Sequence, residues 1–480
     1  MEASSRKRGV RPWEPEATMR SKRRNSSRGQ GRCHDEGRHR EREDNVEPAG
    51  RDTFQAKTIR NREAVPPGAP NLPGNGTVKK KRRVLHSVID KVFNWNNLKR
   101  ASRKVDRNKG SAGVDGMNVK QWQAKEEQHL QELRWRLIQD TYRSKPVLRC
   151  YIPKPGSAKQ RPLGIPAVVD RACQQATHNV LSPVFEEYFH EDSHGFRPGR
   201  STKTAAKRVE ALHKQGYNYA VDLDIKGFFD HVDFEILMKL VGQVVKDRRV
   251  LGLIRGWLKA GVMEEGNIRY TTSGTPQGGV ISPLLSNVYL TPLDNALTEA
   301  GYQFVRYADD VVILCRSEEE AAGALHYVRT VLDRLKLELN EEKTSTRTFK
   351  EGFDFLGFRF TNRGRHIAGK SLLALYGKVR EITKRQQGDK PVTAVIRVLN
   401  PLLLGWGNYH QEGRNVGMFN HLDTWIRKRL RSYIYKRWRT FRWPGVNKPD
   451  REEFKRMGLF SLRTILRPDQ LQLKLSPAPQ

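Results

Sequence analysis

The sequence predicts an α+β core, preceded by a stretch without a fold and followed by an α-helical region. Three observations carry this. Helical and strand periods alternate from Val84 to Phe360 without the regular rhythm of a parallel α/β sheet. Strand signals fade after Phe360. Residues 1–78 hold only 17 apolar residues and no traceable period, too little burial to offset chain entropy. The 480 residues suffice for real cores, so neither disulfides nor a structural metal is needed for stability. Cys33, Cys150, Cys173 and Cys315 form no CxxC pair, which argues against a disulfide scaffold, a zinc finger and an iron–sulfur site. No apolar run approaches the ~18–20 residues that span a bilayer. A net charge of +35 points to a polyanion, nucleic acid first and an anionic membrane surface second.

Residues 1–83 carry +11 of that charge and end in a KKKRR run, read as a disordered basic extension with Met19 as a second candidate start. The run suits a solvated linker end or a nucleic-acid arm. Residues 152–166, punctuated by Gly and Pro, read as a hairpin. Residues 217–223 and 304–314 are rich in Val, Tyr, Ile and Phe and read as strands. Residues 234–245 read as a helix, with Leu237, Leu240, Val241 and Val244 on one face and Asp233 as its cap. Ser317 and Glu320 form a capping-box signature before Leu325, Val328, Leu332 and Leu335, so the acidic run 318–320 is a helix start and not a metal site. Residues 370–442 carry +12. Within them, 419–443 predicts a long helix that packs through Phe419, Leu422, Ile426, Leu430 and Ile434. Arg427, Lys428 and Arg431 lie on its basic surface, and Trp425, Tyr433 and Tyr435 offer rings that stack on bases. A merely solvated basic face is the plainer alternative.

The strongest chemical signal is Tyr307-Ala308-Asp309-Asp310 between two apolar strands. The natural geometry is a hairpin with the acids at its turn. Asp pairs serve ordinary turns too, but adjacent carboxylates repel, and a divalent cation relieves that repulsion. Upstream, Asp222 and Asp224 share one face of a strand by period two. Three carboxylates from two neighbouring strands are the parts needed for two Mg²⁺ ions ~3.5–4 Å apart. Mg²⁺ suits hard oxygen ligands and keeps phosphate oxygens in its shell.

Several strings follow in order: NKGSAGVDG at 108–116, IPKP at 152–155, QRPLGIP at 160–166, GFRPGRS at 195–201, DIKGFFD at 224–230, GTPQGG at 274–279, YADD at 307–310, LNEEKT at 339–344 and FLGF at 355–358. Each alone is weak to moderate; the ordered set is specific. Across about three quarters of the chain it resembles a group II intron reverse transcriptase/maturase. The resemblance implies a right-hand polymerase fold, with fingers and a palm bearing an antiparallel sheet, then a helical thumb or maturase domain. It implies boundaries at 1–83 for the extension, 84–360 for fingers and palm, 361–445 for the helical domain and 446–480 for a C-terminal tail.

The resemblance assigns catalysis to Asp224, Asp309 and Asp310, and the binding of two Mg²⁺ to these three with Ile225. Asp222 is a lesser candidate, better read as a salt-bridged or solvated strand residue. Lys154 and Arg161 are expected to clamp the incoming triphosphate. Phe229 is expected to gate the ribose 2′-position, Gln277 to meet the nucleotide, Tyr307 the primer end and Lys343 the leaving pyrophosphate. Arg197 and Arg200 are expected on template phosphates, and Arg427, Lys428 and Arg431 on intron RNA. Each has a plain alternative: surface or loop charge for the cations, packing for the aromatics, a simple turn for Gln277. LGWGNY at 404–409 fits the maturase domain, or a packing knot between helices.

Residues 364–371, GRHIAGKS, match the GxxxxGK[ST] spacing of a phosphate-binding loop. Its interior lacks further glycine, no second metal strand follows, and Ser371 is better read as a helix N-cap. Residues 446–480 hold no Cys or His, so the Cys/His-rich endonuclease of many family members is not expected. The implied activity is RNA-directed DNA polymerisation with assistance to group II intron splicing and retrohoming. The implied partners are intron RNA, an RNA template, a DNA primer or target, and dNTPs, with no membrane. A splicing-only RNA-binding protein and a domesticated or defence-related reverse transcriptase are the alternatives. The setting implied is the bacterial cytoplasm or nucleoid, with an organelle as the other possibility.

Overall fold

A computed structural model describes residues 82–153, 160–264, 266–270, 274, 278–384, 390–413, 415–437 and 449–466. The expected extension lies outside these but for Arg82 and Arg83, as do Lys154, Gln277 and the end of the predicted 419–443 helix.

Eleven strands form three sheets among the described residues. The first comprises β1 (Val147–Pro153), β2 (Gln160–Ile165), β4 (Val262–Glu264) and β5 (Asn267–Arg269) in the order β2-β1-β4-β5. β1 and β2 are the antiparallel hairpin expected at 152–166, begun five residues earlier. The central sheet is β6-β7-β3-β8, from β3 (Tyr219–Asp224), β6 (Gln303–Tyr307), β7 (Asp310–Cys315) and β8 (Ser345–Thr348), antiparallel throughout. The third is β9 (Phe353–Phe355), β10 (Phe358–Thr361) and β11 (Gly364–Ile367).

The central sheet is buried on both faces, and period-two alternation divides its side chains between two cores. Val221, Leu223, Phe304, Val311 and Ile313 enter the larger one, with residues of the helices Phe234–Val244, Ser282–Glu299 and Glu318–Arg334. Ala220, Val305, Val312 and Leu314 enter the other, with the helix Thr202–Lys214 and the phenylalanines of β9 and β10. The acidic ends of β3 and β7 are therefore held by strands that cannot slip: a one-residue shift would turn every apolar side chain the wrong way.

Helix starts follow local chemistry. Asp233 accepts from Glu235 N and Ile236 N, each at 3.0 Å. Ser317 accepts from Glu320 N at 3.2 Å, while the Glu320 carboxylate reaches back to Arg316 N at 2.7 Å, one residue beyond the expected box. The long basic helix runs Val416–Arg437. It packs through Phe419, Leu422, Ile426, Leu430 and Tyr433 against the helix Val392–His410.

The phosphate-loop look-alike, set aside on sequence grounds, holds strand β11, paired with β10 from Phe358↔Ile367 to Thr361↔Gly364, so its backbone is spent on a ladder. Three expectations change. The β10–β11 hairpin crosses residue 361, and the helical region begins at Gly369. Ser371 is not the N-cap of that helix; Ala368 is, and Ser371 instead donates to Gly357 O at 3.3 Å. Residues 449–466 are no simple tail, since Phe454 and Leu462 are buried in the helical core.

Asp247 fastens the N-terminal end of the described chain. Its carboxylate caps the helix Arg248–Lys259 through Arg249 N (3.0 Å) and Val250 N (3.2 Å), and accepts from Val88 N (2.7 Å) and Ile89 N (2.9 Å). Burial alone would raise its pKa, but the four backbone donors together hold it below the usual carboxylate value. Asp247→Ala should cost roughly 2–3 kcal/mol in denaturant unfolding at pH 7. A depressed folded-state pKa contributes stability above the unfolded value, so the gap between wild type and variant should close as pH falls below about 4.

Candidate active site

The three acids meet where β3 ends and the β6–β7 hairpin turns. Asp224 pairs with Asp310 in register, and Tyr307 pairs with Asp310 to close the turn, leaving Ala308 and Asp309 at its tip. Ala308 is buried with φ +60°, a conformation that favours glycine or asparagine and costs an alanine about 1 kcal/mol.

What holds it there is Arg306. This side chain is fully buried and grips Asp294 with both arms, Nε to Oδ1 at 2.7 Å and Nη2 to Oδ2 at 2.5 Å. Its Nη1 donates to Asn287 Oδ1 at 2.9 Å and to Ala308 O at 3.0 Å. Asn287 in turn donates to Gly195 O at 2.8 Å. The 192–195 segment runs beside β6, with His194 N on Arg306 O at 2.7 Å and Arg306 N on Asp192 O at 2.9 Å. A Cβ on Gly195 would sit 2.3 Å from Ala308 N, so only glycine fits. Neither Arg306 nor Asp294 nor Asn287 was legible as a site residue. The one signal was a charged residue between Val305 and Tyr307 in an otherwise apolar strand.

The carboxylates are electrostatically frustrated. Burial first, then Asp309 and Asp224, pushes Asp310 up to about 6, against Arg161 and Lys343. Burial, then Asp224, raises Asp309, against a backbone hydrogen bond and the charges of Arg161 and Arg306. Burial, then Asp310, Asp224 and Asp354, raises Asp222 to about 7. Asp222 thus belongs to the same field; it is half-exposed, and no salt bridge to it is seen among the described residues. Lys343 supplies one partial remedy, its Nζ lying 2.9 Å from Asp224 Oδ2. The lysine is brought there by the 338–340 segment, which bonds across the end of β3 through Lys226 N–Glu338 O (2.9 Å) and Asn340 N–Asp224 O (2.8 Å). Ile225 is buried between these bonds, and its carbonyl is used by neither.

Raised, mutually repelling carboxylates and hard oxygen donors fit divalent cations well. Among the described residues, however, no three metal-type side chains already converge as a ligand cluster. The acids are neighbours in the sheet rather than a closed cage.

The other expected residues divide. Arg161, exposed on β2, acts electrostatically on Asp309 and Asp310. Of the Phe228–Phe229 pair, Phe228 is the core residue, against Tyr289; Phe229 stays half-buried, edge-on to Phe228 at 5.2 Å. Gly274 backs Asp230, a Cβ there coming within 3.0 Å of Asp230 O, and Gly278 lies against Gly164 O. Tyr307 is half-buried, tilted on Phe196 at 6.4 Å.

Arg197 does not fit the expected template contact. It is 8% exposed, paired with Glu186 at 2.7 Å, bonded to Ser193 O at 2.6 Å and His190 O, and placed over the Phe189 ring. A loop arginine so committed braces the 186–197 turn. Arg200 is half-buried and bonded to Glu191 O. On the basic helix, Arg431 donates to Pro449 O at 2.8 Å and lies over Phe454, so the folded-back C-terminal segment covers it. Arg427 is half-buried beside Thr424 at 3.0 Å, and Lys428 is exposed.

Residues 152–360 match the family described as Reverse transcriptase (RNA-dependent DNA polymerase), and residues 372–448 the family described as Group II intron, maturase-specific domain. Protein YkfC of Escherichia coli (strain K12) is 32% identical over 357 residues, 64% of this chain and 91% of YkfC. Group II intron-encoded protein LtrA of Lactococcus lactis subsp. cremoris is 38% identical over 217 residues, 45% of this chain but only 35% of LtrA. Nuclear intron maturase 1, mitochondrial, of Arabidopsis thaliana is 39% identical over 94 residues, 20% of this chain and 13% of that protein. No described helix is long and apolar enough to cross a membrane.

Arg306→Met should strand the Asp294 carboxylate without a partner and cost about 3–5 kcal/mol in denaturant unfolding. Asp222→Asn should act with the opposite sign. A carboxyl raised to about 7 burdens the fold while charged, and the burden lifts as pH falls through that value. With Mg²⁺ chelated, the variant should melt roughly 2–5 °C above wild type at pH 8 and nearly with it at pH 5.

Proposed function

The chain belongs to the group II intron reverse transcriptases/maturases and carries a reverse transcriptase (RNA-directed DNA polymerase) domain and a maturase-specific domain; from that premise we propose that it copies RNA into DNA by Mg²⁺-dependent nucleotidyl transfer and assists the splicing and retrohoming of a group II intron. The observation that carries the reading is the register of β3 on β7, which sets Asp224 opposite Asp310 and beside Asp309. That register supports Asp224, Asp309 and Asp310, with the Ile225 backbone, as the groups that would hold two Mg²⁺. When bound, Mg²⁺ supplies the Lewis acidity that lowers the pKa of a primer 3′-hydroxyl and offsets charge on the phosphates.

The chain's own residues do the positioning. Arg161, already acting electrostatically on the acids, binds the triphosphate, and Lys154 adds a second charge from the same hairpin. Phe229 is half-buried, in keeping with packing where a ribose 2′-hydroxyl would project, which selects dNTPs. Gln277 offers its amide to the nucleotide, and Tyr307 its ring to the primer end. The Lys343 ammonium, 2.9 Å from Asp224, is within the site and serves as the acid that gives a proton from Nζ to the departing pyrophosphate. On the helical domain, Lys428 and Arg427 remain as intron RNA contacts. Arg431 and Arg197 are withdrawn from nucleic acid on the strength of their protein partners. Of the relatives named, the two bacterial ones match over more residues than the mitochondrial one, which supports a bacterial cytoplasmic setting.

Primer extension on an RNA template with dNTPs and Mg²⁺ tests the site. Asp309→Ala should lose at least about 100-fold in extension while binding RNA as wild type does. Wild-type extension by that variant would remove Asp309 from the chemistry. Splicing that survives it would separate the maturase role from polymerisation.

A further inference from the structure

The turn Leu356–Gly357 joins β9 to β10, with Phe355 paired to Phe358 across it. Both turn residues have positive φ, +49° and +74°. Two such residues suit a tight hairpin, whose twist matches the strands. For Leu356 the conformation is strained and needs support from outside.

The two turn carbonyls are held from the helical region. Tyr409 OH donates to Leu356 O at 2.8 Å. Ala368 N and Ser371 Oγ donate to Gly357 O at 3.1 and 3.3 Å. The Tyr409 ring stacks on Phe358 at 5.4 Å and 7°, and a Cβ on Gly357 would meet Tyr409 and Ser371. Tyr409 closes the helix Val392–His410, so it reports where that helix stands. It packs, as Tyr307 does, against the core that backs the β6–β7 hairpin, and its phenol lies within electrostatic reach of Tyr307 and Asp310. One side chain of the thumb-like helix therefore touches the strained turn and packs on the core beneath the acidic hairpin.

We infer that Tyr409 is a positioning residue for polymerisation: it seats the Leu356–Gly357 turn and fixes the helical domain against the palm, so that a primer–template duplex between them is presented to the acids in one place. This rests on the polymerase reading of the site. Nucleotidyl transfer needs the reacting atoms within about 3–3.5 Å, and a seat that yields by an ångström weakens duplex retention before it alters nucleotide recognition.

The test is steady-state and trap-limited primer extension by the full chain carrying Tyr409→Phe, which keeps the stack and loses the hydroxyl, or Tyr409→Ala, which loses both. KM for primer–template should rise about 3-fold in the first and about 10-fold in the second, with shorter products in a heparin trap and KM for dNTP unchanged. If Tyr409→Ala does not fold, Tyr409→Phe alone decides. Unchanged primer–template KM and product length, with any activity loss only in proportion to the active fraction, would leave Tyr409 merely structural and overturn the inference. A wild-type chain that extends no primer would instead sink the polymerase reading, and this inference with it.

Discussion

Arg306 and Asp294 form an ion pair with no exposure on either side, and the turn that carries Asp309 is built onto it. Burying two charges is expensive, and a pair of apolar residues would often be as stable. What apolar residues could not supply is direction. A planar guanidinium with its fork on Asp294 has its remaining donor aimed along one line, and that line reaches Ala308 O and Asn287. A buried polar network of this kind specifies one turn conformation more than it adds stability. It holds an alanine left-handed, presses Gly195 against the turn and so locks the 192–201 loop to the same point.

The second constraint is repulsion. The ends of β3 and β7 bring carboxylates together because the strands beneath them are buried on both faces and cannot change register. The fold thus forces a local excess of negative charge on a strongly basic chain. Raised carboxyl pKa values at Asp222, Asp309 and Asp310 are its signature. Lys343 relieves part of it, and a divalent cation would relieve the rest. Stability is given up at this spot for a place where positive charge is strongly attracted, as binding sites commonly do.

Much of this was legible in the chain because it depends on neighbours close in sequence. The alternation of β3, β6 and β7, the Asp233 cap and the Ser317 start all follow from residues within a turn of one another. The acidic pair at a hairpin turn was readable for the same reason, and the ordered strings named the family. Where local reading failed, the deciding partner was distant. Ser371 looks like a cap, yet its hydroxyl is drawn to Gly357, fourteen residues back. Arg197 is expected on template phosphate, but Glu186 and two carbonyls enclose it.

Residue order alone is enough to read the residue types of the chemistry, the strands and helices that carry them, the division of charge along the chain and the family. Which cations remain available to phosphate depends on the folded arrangement. It also decided that Arg306, Asp294 and Asn287 hold the acidic turn, and that Tyr409 ties the helical domain to the palm. The physical reason is common to all three. Periodicity and turn chemistry act between residues a few positions apart and leave a visible pattern. A hydrogen bond or ion pair across the fold leaves none, because any donor may meet any acceptor until packing brings two of them together.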